Sequence, residues 1–241
     1  MSRRIGTLAE KSLHAALKAH YAHPGDHLER EIAGYVIDIV RAAPHDPALV
    51  TGAIEIQTRA LGAMKTKLTA LLDSVPIRVV HPIAQERHVV RVNADGVVTS
   101  RRKSPLRGTA YHAFGELVGL TGLLLHPNLT VEIALIHEEQ WWIEDGRGSW
   151  RRKRWSIHDR RLIDVFGTVT LAAPADYAAL LPAALPPTFD TAELAAAIRQ
   201  PRPLAQKMAY TLREIGLLSV AGKRGNAILY ARTAQPAAAP T

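Results

Sequence analysis

Apolar residues recur along this chain with two periods, and the switches between them mark out its elements. Leu8, Leu13, Ala16 and Leu17 fall at helical spacing near the N-terminus. Thr7 and Glu10 stand three apart at the front of that run, in the pattern of a capping box, so a helix is predicted from Thr7 to about Tyr21. After the turn Pro24-Gly25-Asp26, His27 to Ile32 reads as a short strand and Tyr35 to Val40 as a second. Two prolines between Ala42 and Pro47 predict a loop, and Gly52 to Thr58 a third strand. Leu61, Met64, Leu68, Leu71 and Leu72 return to helical spacing, for a helix ending near Asp73. Pro76 to Ile83 is a further strand, ended by Pro82. The order is α-β-β-β-α-β.

The middle of the chain is less regular. His88 to Val92 and Val97 to Thr99 flank Asn93-Ala94-Asp95-Gly96, a hairpin signal because Asp-Gly accepts the positive φ of tight turns. Ala110 to Leu125 reads as one or two helices, Leu129 to Ile136 as a strand, and Leu162 to Leu171 as another. Trp141 to Trp155 is a basic loop or hairpin, interrupted by aromatics, around Asp145-Gly146-Arg147-Gly148. Further on, Ala175 to Leu181 is a short helix and Pro182 to Pro187 a connector. Asp190 and Glu193 form a second capping box, for a helix whose apolar face is Leu194, Ala195 and Ile198. Pro203 opens a third helix, Leu204 to Ile215, with Gly216 at its C-cap. Leu217 to Val220 and Ala227 to Tyr230 then flank a basic turn, Ala221 to Asn226. These elements predict an α/β core over residues 5–83, a basic α+β extension over 84–172, a helical module with a basic hairpin over 173–232, and a flexible tail over 233–241.

Composition narrows the class of function. The 241 residues are 47% hydrophobic and 22% charged, enough for a core and ordinary for a globular chain. The absence of cysteine excludes disulfides, thiolate zinc sites and a cysteine nucleophile. No apolar run approaches the ~18 residues of a membrane span, and the N-terminus lacks the apolar stretch of a signal peptide. A cytoplasmic protein without a membrane partner is expected. The formal net charge of +8 is gathered in local clusters: Arg101-Arg102-Lys103, Arg151-Arg152-Lys153-Arg154 and Lys223-Arg224. Such clusters neutralise phosphates and release counterions, so nucleic acid is the expected partner, DNA first with RNA left open. A solvated basic surface explains the same letters. A homodimer is also left open.

The chemistry begins with two misplaced charges. Asp38 stands in an otherwise apolar strand, and Glu55 stands in the next, followed by Gln57. If these strands form a hairpin in which Arg41 faces Gly52, Asp38 lies opposite Glu55, and Glu55 and Gln57 share a face. A carboxylate in an apolar strand costs several kcal/mol unless it finds a partner. Pairing with Arg41 or Arg59 is one solution. A hard cation is the other: Mg²⁺ or Mn²⁺ takes one or two carboxylates, with water and phosphate filling the remaining positions.

Residues 5–83 resemble the PD-(D/E)xK nuclease superfamily, with Asp38 at the Asp position and Glu55-Ile56-Gln57 at the (D/E)xK position. The resemblance implies a restriction-endonuclease-like core and Mg²⁺-dependent phosphodiester hydrolysis. It implies Asp38, Glu55 and the Ile56 carbonyl as metal ligands, joined by Glu10 from the first helix. Gln57 replaces the water-orienting lysine, and Lys65 on the following helix is the candidate displaced lysine. Glu10 also reads as a capping residue alone, and Lys65 as a solvent-facing lysine. A nuclease-like DNA-binding or regulatory protein without catalysis is the alternative.

Residues 175–232 resemble a winged helix-turn-helix domain. That resemblance puts Gln206, Lys207, Tyr210 and Arg213 towards the major groove, Lys223, Arg224 and Asn226 on the wing, and Leu204, Met208, Leu212 and Ile215 in the core. Winged helices also serve as protein-interaction modules. Trp141, Trp142, Trp150 and Trp155 bracket Arg151, Arg152 and Arg154, an arrangement suited either to stacking on unpaired bases or to a core beside a solvated charge run. The 11 histidines show no metal-ligand spacing in sequence.

Overall fold

A computed structural model describes residues 12–93, 95–145 and 155–233. The expected first helix is present as α1 (Ser12–Tyr21), while its capping residues Thr7 and Glu10 lie outside the described residues. Strands β1 (His27–Ile32), β2 (Tyr35–Ala43) and β3 (Asp46–Ile56) follow as an antiparallel meander. A 3-10 turn (Leu61–Met64) and α2 (Lys65–Leu71) then carry the chain across to β4 (Ile77–Val92), which pairs parallel to β3. A parallel pair requires such a crossover, since a tight turn only reverses direction. β5 (Val98–Lys103) folds back on the far half of β4. Short helical turns over 110–120, including α3 (Phe114–Leu117), lead to β6 (Leu129–Glu144), parallel to β4 along its whole length. β7 (Trp155–Leu171) closes a seven-stranded mixed sheet in the order β1-β2-β3-β4-β6-β7, with β5 on β4.

Both faces of the sheet are covered, so its central strands carry apolar residues on both sides. Leu13, Leu17 and Tyr21 of α1 bury against Ile39, Ile54, Ile56, Val80, Ala134 and Ile136. The opposite face meets α2, the helical turns and the C-terminal elements in one continuous cluster that includes Val79, Val131, Leu68, Phe114 and Met208. Those C-terminal elements are α4 (Pro174–Ala178), β8 (Thr188–Phe189), α5 (Thr191–Ile198), α6 (Arg202–Glu214), β9 (Leu218–Arg224) and β10 (Ala227–Arg232). β8, β10 and β9 form a second, three-stranded sheet. The capping box at Asp190 is formed, with its carboxylate accepting from Ala192 and Glu193, and Gly216 takes positive φ after α6.

Three expectations need correction. The segment 42–47 is not a loop: β2 and β3 continue through it, and Ala43 faces Asp46 across a tight turn. Pro44 sits in that turn, and Pro47 falls where the register jumps, so neither removes a ladder donor that a partner needs. Pro82 does not end β4. Val80 bonds towards β3, accepting from Gln57 N–H, and Pro82 has the same parity, so its missing N–H faces the side where β3 has stopped. The division at residues 83 and 84 therefore cuts through one strand, and β1 to β7 share one sheet. Among the described residues, no helix is long and apolar enough to cross a membrane.

The two 3-10 turns on the α2 face approach closely at paired glycines. A Cβ on Gly119 would lie 2.9 Å from the Gly62 Cα, whereas one on Gly122 would meet nothing within 4 Å. Gly119→Ala is therefore expected to destabilise the fold by about 1–3 kcal/mol. A lowered urea midpoint checks this, with Gly122→Ala as the unchanged control.

Candidate functional site

β2 and β3 part company at Asp38 and Glu55. The expected register is observed, with Arg41 opposite Gly52 and Ile39 opposite Ile54, and the ladder ends there. Beyond that point each carboxylate replaces a ladder bond by reaching across the gap. Asp38 Oδ2 accepts the Ile56 N–H at 2.8 Å, and Glu55 Oε1 accepts the Asp38 N–H at 3.3 Å. The alternation of β2 also slips at this position: Ile37 packs in the cluster of the α2 face, whereas Ile39 packs in that of the α1 face. The two acids are thus neighbours in a fork between strands, with side chains 18% and 10% exposed, so solvent reaches the fork only narrowly.

A basic group approaches the fork from each face of the sheet. His14 Nε2 of α1 lies 3.2 Å from Asp38 Oδ2. Lys67 Nζ of α2 donates to Glu55 Oε1 at 2.5 Å and to the Val36 carbonyl at 2.6 Å. Burial acts to raise the Asp38 pKa, but the His14 contact, the Ile56 N–H and the charges of His14 and Lys18 outweigh it and hold the carboxyl below its ordinary value. Glu55 moves the other way. Burial raises it, the Lys67 hydrogen bond opposes, and the charge of Asp38 adds to the rise. Asp38 is the settled anion of the pair, and Glu55 is the one a further positive charge would stabilise.

The cations at the fork are not those expected. Arg41 turns to Asp26 and to the Tyr21 carbonyl, and Arg59 is exposed. Lys65 is exposed at the start of α2, while Lys67, two residues on, reaches Glu55. Both lysines flank the Leu61-Met64-Leu68-Leu71 stripe at three- or four-residue spacing, so helical phase alone does not choose between them. Gln57 lies past the end of β3; its amide donates to the Ala60 carbonyl and its own carbonyl meets His81 Nδ1 at 2.7 Å. Its backbone N–H still bonds to the Val80 carbonyl, so the alternation of β3 runs on to this residue, but its side-chain amide is engaged by Ala60 and not by the fork. Ile56 is buried and offers its N–H to Asp38. Glu10 lies outside the described residues. His14 and Lys67 were not read from the sequence. Neither was a second cluster, Glu86, His88 and His137, whose ligand atoms lie within 4.8 Å of one another.

The basic candidates are distributed unevenly. Lys207 and Tyr210 are exposed on α6, although the Lys207 ammonium also donates to the Gly115 carbonyl at 3.1 Å. Arg213 is half-buried, pairs with Glu214 and lies over the Tyr210 ring. Lys223 is exposed, whereas Arg224 is clamped 2.8 Å from both Asp190 and Glu193, tying the β9–β10 turn to the start of α5. Of the residues expected in the core of this module, Met208, Leu212 and Ile215 are buried and Leu204 is half-buried. Arg151, Arg152, Arg154 and Trp150 lie outside the described residues. The described tryptophans nearby lie on β6 and β7, with Arg161 stacked 3.8 Å over Trp141 and Arg91 5.1 Å from Trp155.

This is a mixed α/β protein with one large sheet, two layers of helix and an acidic fork between two neighbouring strands. Residues 11–172 match the family described as a domain of unknown function, DUF8091, and the chain belongs to that family. An uncharacterized protein of Treponema pallidum (strain Nichols) is 30% identical over 229 residues, covering 94% of this chain and 86% of the relative. That similarity reaches past the family match into the C-terminal elements. No solved structure matches the chain.

Because folding lowers the Asp38 pKa, its contribution to stability is complete above its ordinary value of 3.8 and is lost as pH falls below it. The melting-temperature deficit of Asp38→Asn is expected to be largest near neutrality and to shrink steadily as the pH drops below about 4. Thermal melts across that range measure it.

Proposed function

We propose that this chain is a DNA-binding phosphodiesterase of the PD-(D/E)xK type, hydrolysing the backbone with Mg²⁺ or Mn²⁺ at the β2–β3 fork. The observation that carries the reading is Lys67 on Glu55 beside Asp38. The motif needs two acids and a lysine, and α2 supplies the lysine that position 57 lacks. The order α1-β1-β2-β3-α2-β4, with β4 parallel to β3, agrees with a restriction-endonuclease-like core.

The donor set suits a hard cation. Two carboxylates from adjacent strands are the usual protein share of a Mg²⁺ site, and the Asp38 charge raises the cost of ionising Glu55, which a cation there would offset. Asp38 and Glu55 would hold the ion. Bound there, it would polarise the scissile phosphate and supply hydroxide near neutral pH. The Lys67 ammonium faces the same point and stabilises negative charge developing on the phosphate oxygens. His14 fixes Asp38 as an anion, and the Ile56 N–H fixes its rotamer.

DNA as substrate is supported by the net charge of +8 and by the C-terminal elements. Their order of helix, strand, helix, helix and hairpin, with sheet order β8-β10-β9, agrees with a winged helix. Gln206, Lys207 and Tyr210 would then face the groove, and Lys223 the backbone. A non-catalytic DNA-binding protein is the second reading. It is favoured by His14 and Lys67 themselves, which already balance both carboxylates.

Incubation with plasmid or oligonucleotide and Mn²⁺ distinguishes the two. Cleavage is expected, reduced about 10²–10³-fold by Asp38→Asn, by Glu55→Gln and by Lys67→Met, and near wild type in Lys65→Met. Metal-dependent cleavage that survives all three fork substitutions would reject the site. DNA retention should weaken steeply with rising salt and further in Lys223→Ala, and retention indifferent to salt would reject the partner.

A further inference from the structure

We propose a second metal site, of the Zn²⁺ class, formed by Glu86, His88 and His137 on the distal half of the sheet. These residues come from two parallel strands, β4 and β6, with Glu86 directly opposite His137. A bulge between Ala84 and Glu86 steps the alternation of β4 at this point, and Glu86 and His88, two apart, share a side. One ligand atom from each residue lies within 4.8 Å of the other two. His88 Nδ1 and His137 Nε2 are 2.9 Å apart, and Glu86 Oε1 is 3.8 Å from the same His137 nitrogen.

Two imidazoles and one carboxylate favour Zn²⁺ and similar borderline ions over Mg²⁺, and three protein ligands leave a fourth position for water or an oxyanion. The Phe166 ring lies parallel to His137, with centroids 6.1 Å apart and planes 2° from parallel, and covers one side of that imidazole. Lys103 and Arg107 engage the other Glu86 oxygen at 2.5 and 3.1 Å. Both are about half exposed, and pairs of this kind are individually modest, so they compete with an entering cation without excluding it. The site is separate from the fork. Glu55 pairs with Val79, and Glu86 lies seven residues further along β4, roughly 20 Å away at about 3.3 Å per residue.

The test uses the full chain without a polyhistidine tag, stripped of metal, titrated with Zn²⁺ by calorimetry and with Co²⁺ by absorbance. One equivalent of Zn²⁺ is expected, with a Co²⁺ spectrum of low coordination number. His88→Ala and His137→Ala should each weaken binding about tenfold or more. Asp38→Asn combined with Glu55→Gln should leave it unchanged, which separates this site from the fork. Lys103→Met, an exposed change that removes the competitor for Glu86, should tighten it several-fold. Absence of saturable Zn²⁺ binding, or binding undiminished in the double histidine variant, would overturn the proposal. If circular dichroism shows the histidine variants unfolded, an affinity unmoved by Lys103→Met overturns it instead.

Discussion

Where two antiparallel strands separate, their backbone groups lose partners, and something must replace the missing ladder bonds. In this protein the replacement is made by Asp38 and Glu55, each taking an N–H from the opposite strand. An amide side chain could satisfy the same donors without charge. Carboxylates do so more readily with basic groups nearby, and α1 and α2 bring one from each face, His14 and Lys67. The fork is therefore an electrostatic joint as well as a break in the sheet. Its two acids are unequal, one held ionised by its surroundings and the other pushed towards neutrality.

The remaining architecture fixes this joint in position. α1 is clamped to one face by Leu13, Leu17 and Tyr21, which sets the reach of His14. α2 is locked to the other face by Leu68 and Leu71 and by the contact between glycine turns, which sets the reach of Lys67. The parallel pairing of β4 with β3 ends at Val80, whose carbonyl accepts the Gln57 N–H and so fixes the end of β3. The C-terminal helices join the same apolar cluster as α2, so the module proposed to grip DNA is packed onto the layer that carries the lysine.

Much of the element order was legible in sequence because period and punctuation agreed. A hairpin in which Arg41 faces Gly52 placed Asp38 beside Glu55, although the connection expected to be a loop is a continued ladder with a tight turn. What sequence did not disclose was tertiary. Lys65 and Lys67 occupy equivalent positions relative to the apolar stripe, and only the docking of α2 on the sheet selects Lys67. His14 was hidden for the same reason. Pro44, Pro47 and Pro82 suggested breaks, yet each sits where its missing N–H faces a turn, a register jump or an unpaired edge. Glu86, His88 and His137 are brought together by strands far apart in the chain, so no local spacing announces them.

The proposed chemistry requires the fork between β2 and β3 to take a divalent cation. A crystal structure of the protein soaked in Mn²⁺, with anomalous scattering recorded, tests it most directly. A peak between the carboxylates of Asp38 and Glu55 is expected, with Lys67 still beside Glu55. A fork without a peak, its acids still closed onto His14 and Lys67, would contradict it.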